Sequence, residues 1–366
     1  MLFYYAALRI KKDTLVVLVL ACASLIFYSV WQVVYLNVLL ASILWNFLLG
    51  QEIIKFQNRK KGSLAYKILV IAISGDLALL GYFKYYKFFI SNLQFVFGTN
   101  WPSADIILPL GISFYTFTQI AYLVDAYRGK VENNGSFTKY LLFVTYFPHL
   151  IAGPILHHKE MIPQFSWNYL KSQPIVQNFY KGTLIFILGL YKKVAIADPL
   201  ASFVNAGYAN AANLNFIDGW ITSLGYTFQL YFDFSGYSDM AVGLALMMQI
   251  RLPINFNLPY LAVNIQDFWR RWHITLSTFL RDYLYIPLGG NRKGESKTIR
   301  NLFITFLLGG LWHGAGWTFI IWGALHGIAL IIHRLWSKRN IILSNTLSLA
   351  LTFLFVNIAW VFFRAD

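Results

Sequence analysis

Stretches of about 20 mostly apolar residues recur along this chain, and that is the length a helix needs to cross the hydrocarbon core of a bilayer. They lie near 14–31, 33–54, 66–83, 106–126, 139–156, 178–197, 217–249, 300–313, 315–335 and 345–363. Hydrophobic residues make up 58% of the chain and charged residues 12%. A soluble domain carries about a quarter charged residues. In a bilayer every backbone polar group must be satisfied internally, which leaves helices or a closed barrel. Spans of this length specify helices. The expected fold is therefore an all-α polytopic membrane protein of roughly ten membrane segments. Several are short or interrupted by Gly or Pro, so interfacial and broken helices are expected around a central funnel. With neither an internal repeat nor a low-complexity linker, residues 1–366 read as one domain.

Charge sets the expected orientation. The net charge is +15, and it is dispersed between apolar segments, which argues against nucleic-acid binding. Lys55, Arg59, Lys60, Lys61 and Lys67 cluster between the second and third segments, whereas 91–103 holds no Lys or Arg. Arg128, Lys130 and Lys139 follow the next segment. Basic residues mark cytoplasmic loops, so 55–67 and 127–139 are expected inside and 91–103 outside. The single cysteine, Cys22, lies in an apolar run and reads as a packing residue. It excludes an intramolecular disulfide or a CxxC metal site. No cleavable signal peptide is apparent in 1–12.

Region 251–300 breaks the apolar pattern, with eight Lys/Arg against three Asp/Glu. At helical spacing Ile265, Phe268, Trp269, Trp272, Leu276, Phe279, Leu280 and Tyr283 share one face. Asp267, Arg270, Arg271, Thr278, Arg281 and Asp282 share the other. One helix over 265–283, capped at Asn264 and ended near Pro287, would lie at the cytoplasmic boundary. Arg270, Arg271 and Arg281 are the candidates to hold an anionic, phosphate-bearing donor.

Ionisable groups at membrane depth are candidate functional residues. His313 stands in Gly309-Gly-Leu-Trp-His-Gly314, between two apolar segments. The flanking Gly310 and Gly314 are expected to leave room for a substrate to approach. His273 falls at the edge of the apolar stripe, where an interfacial hydrogen bond would equally account for it. Packing or end positions account for His326 and His333, and a solvated loop for His157 and His158. Asp233 and Asp239 are expected to be structural, pinning a broken helix by hydrogen bonds. No histidine pair has metal-ligand spacing, so no metal is expected. Walker, GxGxxG and GxSxG motifs are absent. A histidine in an apolar tunnel with no nearby nucleophile suits general-base attack of a hydroxyl on an activated acyl group.

The motifs together carry a resemblance. They are Leu108-Pro-Leu-Gly-Ile-Ser-Phe-Tyr115, Phe147-Pro-His-Leu-Ile-Ala-Gly-Pro154 and Tyr231-Phe-Asp-Phe-Ser-Gly-Tyr-Ser-Asp-Met-Ala241. Leu252-Pro-Ile-Asn-Phe-Asn-Leu-Pro-Tyr260, Asp267-Phe-Trp-Arg-Arg-Trp-His-Ile-Thr-Leu-Ser277, the 280–292 stretch and Gly309–Gly314 follow in order. From about residue 65 onward the chain resembles the membrane-bound O-acyltransferase family, in its bacterial alginate O-acetyltransferase branch. The resemblance implies that His313 is catalytic and His273 a second functional histidine near the cytoplasmic side. It implies an acetyl group passed across the bacterial inner membrane from a cytoplasmic donor, expected to be acetyl-CoA, with no resident cofactor. The expected partners are an extracytoplasmic esterase-like acetyltransferase, a polysaccharide acceptor such as alginate, and the bilayer. Two alternatives stand: D-alanyl or peptidoglycan acyl transfer, and a transporter using a histidine proton relay. Family members usually extend further at both ends, which leaves open that this chain is a fragment.

Overall fold

The computed structural model describes residues 1–366 except 103, 132–134, 152, 340, 342 and 366, and the side chain of residue 32. Helices dominate, and no strand occurs among the described residues. Five helical segments there are long and apolar enough to cross a membrane: Asp13–Trp31, Val33–Asn58, Gly62–Phe97, Trp317–Ser337 and Asn345–Arg364. The other apolar segments read from sequence also fold largely as helix, but each is shorter, kinked or more polar.

The chain divides into two compact units. The first comprises Met1–Thr183 and Ala241–Leu252. Its core packs Leu39, Ile43, Ile53, Leu123 and Phe143, all fully buried. Polar residues cross the same core in pairs. Asn46 donates to Asp76 at 2.7 Å, and Gln119 donates to Ser42 at 2.9 Å. Without water, such pairing is what permits polar groups inside a membrane protein.

Two expected segments are corrected in this unit. The helix expected over 139–156 is only Phe137–Thr145, and turns follow it. Pro148 explains the stop, because a proline drives the preceding residue out of helical geometry. The helix expected from 106 begins at Ile112 instead, after Pro109 and a left-handed Gly111 at φ 70°. A Cβ at Gly111 would lie 2.6 Å from the Leu150 carbonyl oxygen, so only glycine fits.

The second unit comprises Leu184–Met240 and Pro253–Asp366. Its aromatic core holds Phe268, Trp269, Trp272, Trp322 and Trp360. Glu295–His313 and Trp317–Ser337 form a tightly packed antiparallel pair joined by only three residues. The pair meets at Gly310 and Gly323. A Cβ on Gly310 would lie 2.3 Å from the Phe319 carbonyl oxygen, and one on Gly323 would lie 2.4 Å from that of Phe306. Small residues let membrane helices approach backbone to backbone.

The single interfacial helix expected over 265–283 is broken. Ile265–Arg271 and Ile274–Leu280 are separate helices, followed by a π-helical turn over Arg281–Tyr285. Asn264 does cap the first, accepting from Asp267 N–H at 2.8 Å. The break falls at His273, which adopts left-handed φ 42°, ψ 55°. The apolar stripe is continuous through this break, so side-chain periodicity could not reveal it.

The expected role of Asp233 and Asp239 also changes. They sit on an uninterrupted helix, Phe216–Met247. The irregular element is instead the π-helical stretch Lys192–Ala197. Lys192 bonds Asp239 at 2.6 Å, and Lys193 bonds both Asp233 and Asp198 at 2.6 Å. Both carboxylates are thus ion-paired to the neighbouring segment.

Candidate functional site

Both singled-out histidines belong to the second unit. His313 is the last residue of its helix, and Gly314 continues in extended geometry. The half-buried imidazole is boxed by Trp312, Trp322 and Phe363 at ring-centre distances of 4.8, 4.9 and 5.1 Å. All three contacts are edge-on, the arrangement aromatic quadrupoles favour. Gly310 and Gly314 do not hold open an access path. The space beside Gly310 is filled by the backbone of Phe319 and Gly323, and that beside Gly314 by the Phe319 ring, 2.1 Å from where a Cβ would stand. The glycines seat the helix that carries His313.

His273 lies at the helix break with 1% exposure. A left-handed conformation costs a non-glycine residue about 1–2 kcal/mol, so the surrounding contacts must hold it. Its Nδ1 meets Asn255 Oδ1 at 3.2 Å. Phe234 packs edge-on against it at 4.8 Å, and the Trp312 ring stands 6.3 Å away. Burial pushes the His273 imidazole down to about 3, so it is neutral at ordinary pH. Trp312 thus stands between the two histidines, 40 residues apart in sequence.

His326 is as buried as His273 but is engaged differently. It accepts from Trp269 Nε1–H at 3.2 Å, and Trp322 packs against it at 4.7 Å. That is the packing role expected of it.

A cavity of about 740 Å³ opens in the same unit. Arg270 and Arg281 line it, with Ser277, Thr278, His333, Arg334 and Lys338. Ile274, adjacent to His273, forms part of its wall. Of the three candidate arginines, Arg270 and Arg281 line this cavity. Arg271 does not; it bonds Asp267 at 2.9 Å on its own helix. Arg281 is held beside Asp282 at 2.7 Å. Arg270 has no ion pair among the described residues. Glu295 binds Arg334 and Lys338, each at 2.8 Å, and so fixes the far wall.

Sequence reasoning missed Asn255, Trp312, Arg334 and Lys338, and read His333 only as a packing or end-position residue. A faint signal existed for Arg334 and Lys338, which lie one helical turn apart at a basic helix end. Asn255 gave none, because only the fold brings it to His273. No group of three metal-ligating side chains occurs among the described residues.

The site contains one neutral histidine, a second histidine in an aromatic box, and a basic cavity beside them. Such a set can accept a proton and hold an anionic ligand. A protein named peptidoglycan O-acetyltransferase from Helicobacter pylori is 49% identical over 94% of this chain and 70% of its own length. One named probable alginate O-acetylase AlgI from Pseudomonas putida is 45% identical over 100% of the chain and 74% of its own. A teichoic acid D-alanyltransferase from Bacillus subtilis is 28% identical over 65% and 62%. The membrane-bound O-acyltransferase family model matches residues 132–364, a span that contains His273, His313 and the basic cavity. The chain belongs to the membrane-bound O-acyltransferase family and is an acyltransferase of the membrane.

Proposed function

We propose that this enzyme moves an acetyl group from a cytoplasmic donor through the membrane, for O-acetylation of an extracytoplasmic polysaccharide. The observation that carries the reading is the basic cavity wall shared with the helix that follows His273. Arg270, Arg281, Arg334 and Lys338 suit the phosphates of a donor such as acetyl-CoA. In this reading His313 accepts the proton of the acceptor hydroxyl as its oxygen attacks the acetyl carbonyl. The thioester C–S bond then breaks, and the imidazolium returns the proton to the departing thiolate. The acceptor is a hydroxyl of an extracytoplasmic esterase-like partner or of the glycan itself. A funnel beside the 295–313 and 317–337 helices belongs to this reading, and the basic loops support a donor side in the cytoplasm. In a bacterium this is the inner membrane. The ten-segment topology belongs to the same reading.

Relatives named for alginate and for peptidoglycan are similar to this chain at comparable identity. O-acetyl transfer to a glycan is common to both, and exopolysaccharide such as alginate is the first reading. Peptidoglycan is the second, favoured by the 49% identity to the Helicobacter pylori relative. Mass analysis of both polymers from a deletion strain decides between them. Ester acetate should vanish from one and persist in the other; acetate unchanged in every glycan would refute the proposal.

The donor reading has its own test. A hydrogen bond to a charged group contributes about 1.5–3 kcal/mol, roughly a 10–100-fold change in affinity. The Arg270→Ala, Arg281→Ala double variant should bind acetyl-CoA at least tenfold more weakly in calorimetry on purified protein. Arg271→Ala, at a residue already bonded to Asp267, should bind it normally. Equal affinity of wild type and double variant would remove the cavity as the donor site.

A further inference from the structure

Asn255 makes four polar contacts with the helix break at His273. Its backbone carbonyl accepts from Ile274 N–H at 3.0 Å. Its side-chain Oδ1 accepts from Thr275 N–H at 3.2 Å and from Thr275 Oγ1–H at 3.0 Å. The same oxygen meets His273 Nδ1 at 3.2 Å. The 274–280 helix begins after His273, whose own side chain does not cap it. Asn255 reaches in from a distant loop and satisfies an amide that the helix start leaves open.

These contacts decide a proton position. The two ends of an asparagine amide are normally told apart only by their hydrogen bonds. Here a backbone N–H points at one end. A backbone N–H can only donate, so that atom is the oxygen. An amide oxygen can only accept. His273 Nδ1, facing the same oxygen, must therefore be the donor and carry a proton. In the neutral ring the other nitrogen, Nε2, then bears a lone pair. Nε2 is fully buried and has no hydrogen-bond partner among the described residues. Phe234, Phe256 and Trp312 stand around the ring, and none of them titrates.

We propose that Asn255 is a positioning residue that fixes His273 in its Nδ1–H form, so that His273 presents an acceptor lone pair at Nε2 to the groups reacting beside Trp312. His273 then takes or holds a proton during transfer and does not donate one in the resting enzyme. Its left-handed backbone follows from the same clamp, because Asn255 binds the residues on the C-terminal side of the break while His273 turns its ring back onto it. The consequence for turnover rests on the acetyl transfer proposed above and on His273 taking part in it beside His313. The tautomer itself does not.

Two measurements separate these layers. Nitrogen-15 NMR of ring-labelled histidine in the full-length protein reads the tautomer directly, with the His273 signal assigned by its loss in His273→Gln. Wild type should show a protonated Nδ1 and a bare Nε2. Asn255→Asp, whose carboxylate oxygen also only accepts, should keep that form. Asn255→Ala should give mixed tautomers. A protonated Nε2 in wild type, or an unchanged tautomer in Asn255→Ala, overturns the proposal.

The second measurement is polymer acetylation per inserted protein. Asn255→Ala should lose on the order of 10²-fold, a wrong-tautomer effect of the kind seen when an orienting partner is removed. Asn255→Asp should recover most of it. In a His273→Gln background, Asn255→Ala should cost nothing more, because it acts through the ring. Full additivity there would show that Asn255 serves the fold alone. Normal acetylation by His273→Gln would refute the participation of His273 while leaving the tautomer result standing.

Discussion

His313→Gln should all but abolish acetyl transfer, with the protein still inserted and folded. Glutamine retains similar bulk and a hydrogen-bonding amide, so the box formed by Trp312, Trp322 and Phe363 stays filled. It cannot accept a proton at ordinary pH. General-base assistance is worth about 10²–10⁴-fold, so the acetyl content of the polymer should drop at least a hundredfold per inserted protein. His313→Ala should be equally inactive and less stable, because it empties an aromatic-lined site. His326→Ala tests whether the loss is specific. His326 is fully buried and bonded to Trp269. Its removal should lower thermal stability and spare per-molecule activity far more than either change at His313. Near-normal acetylation by His313→Gln would make this histidine a packing residue and discard the proposed mechanism.

What could be read from sequence follows the physics of each feature. Helical spans were legible because hydrocarbon tolerates so few alternatives, and nearly every apolar segment folds as helix. Their ends were less legible. Pro148 and Gly111 act locally, yet an apolar run continues past both, so hydropathy alone carried the expected helices too far. The basic face of 265–283 was legible, but the break within it was not. The contacts around His273 in its left-handed turn come from residues distant in sequence, Asn255, Phe234 and Trp312. Motif resemblance pointed to both histidines. It could not show that Trp312 lies between them, nor that Arg270 faces a cavity while Arg271 turns to Asp267. Adjacent residues on a helix differ by 100°, and where that rotation points each side chain is decided by tertiary packing.

The same distinction leads to the second large effect expected. Gly323→Ala should disable the enzyme although it adds a single methyl group. The new Cβ would stand 2.4 Å from the Phe306 carbonyl oxygen and 3.0 Å from Gly310 Cα. Both are backbone atoms, so no side chain can rotate away and the two helices must separate. Overpacking of this kind costs about 1–3 kcal/mol, and thermal unfolding of the purified protein should shift down accordingly. Activity should suffer more than stability. Trp322, next in sequence to Gly323, packs against His313, and Gly310 lies one turn before it on the partner helix. A displacement of about 1 Å at reacting groups can cost 10²-fold in rate, so transfer per folded molecule should fall by at least tenfold. Gly219→Ala is the control. It lies within the 216–247 helix, and a Cβ there meets nothing within 4 Å. It should leave stability unchanged or slightly raised, since alanine is the better helix former. If Gly323→Ala matched Gly219→Ala in both unfolding temperature and acetylation, the close crossing of these helices would not be what holds His313 in place.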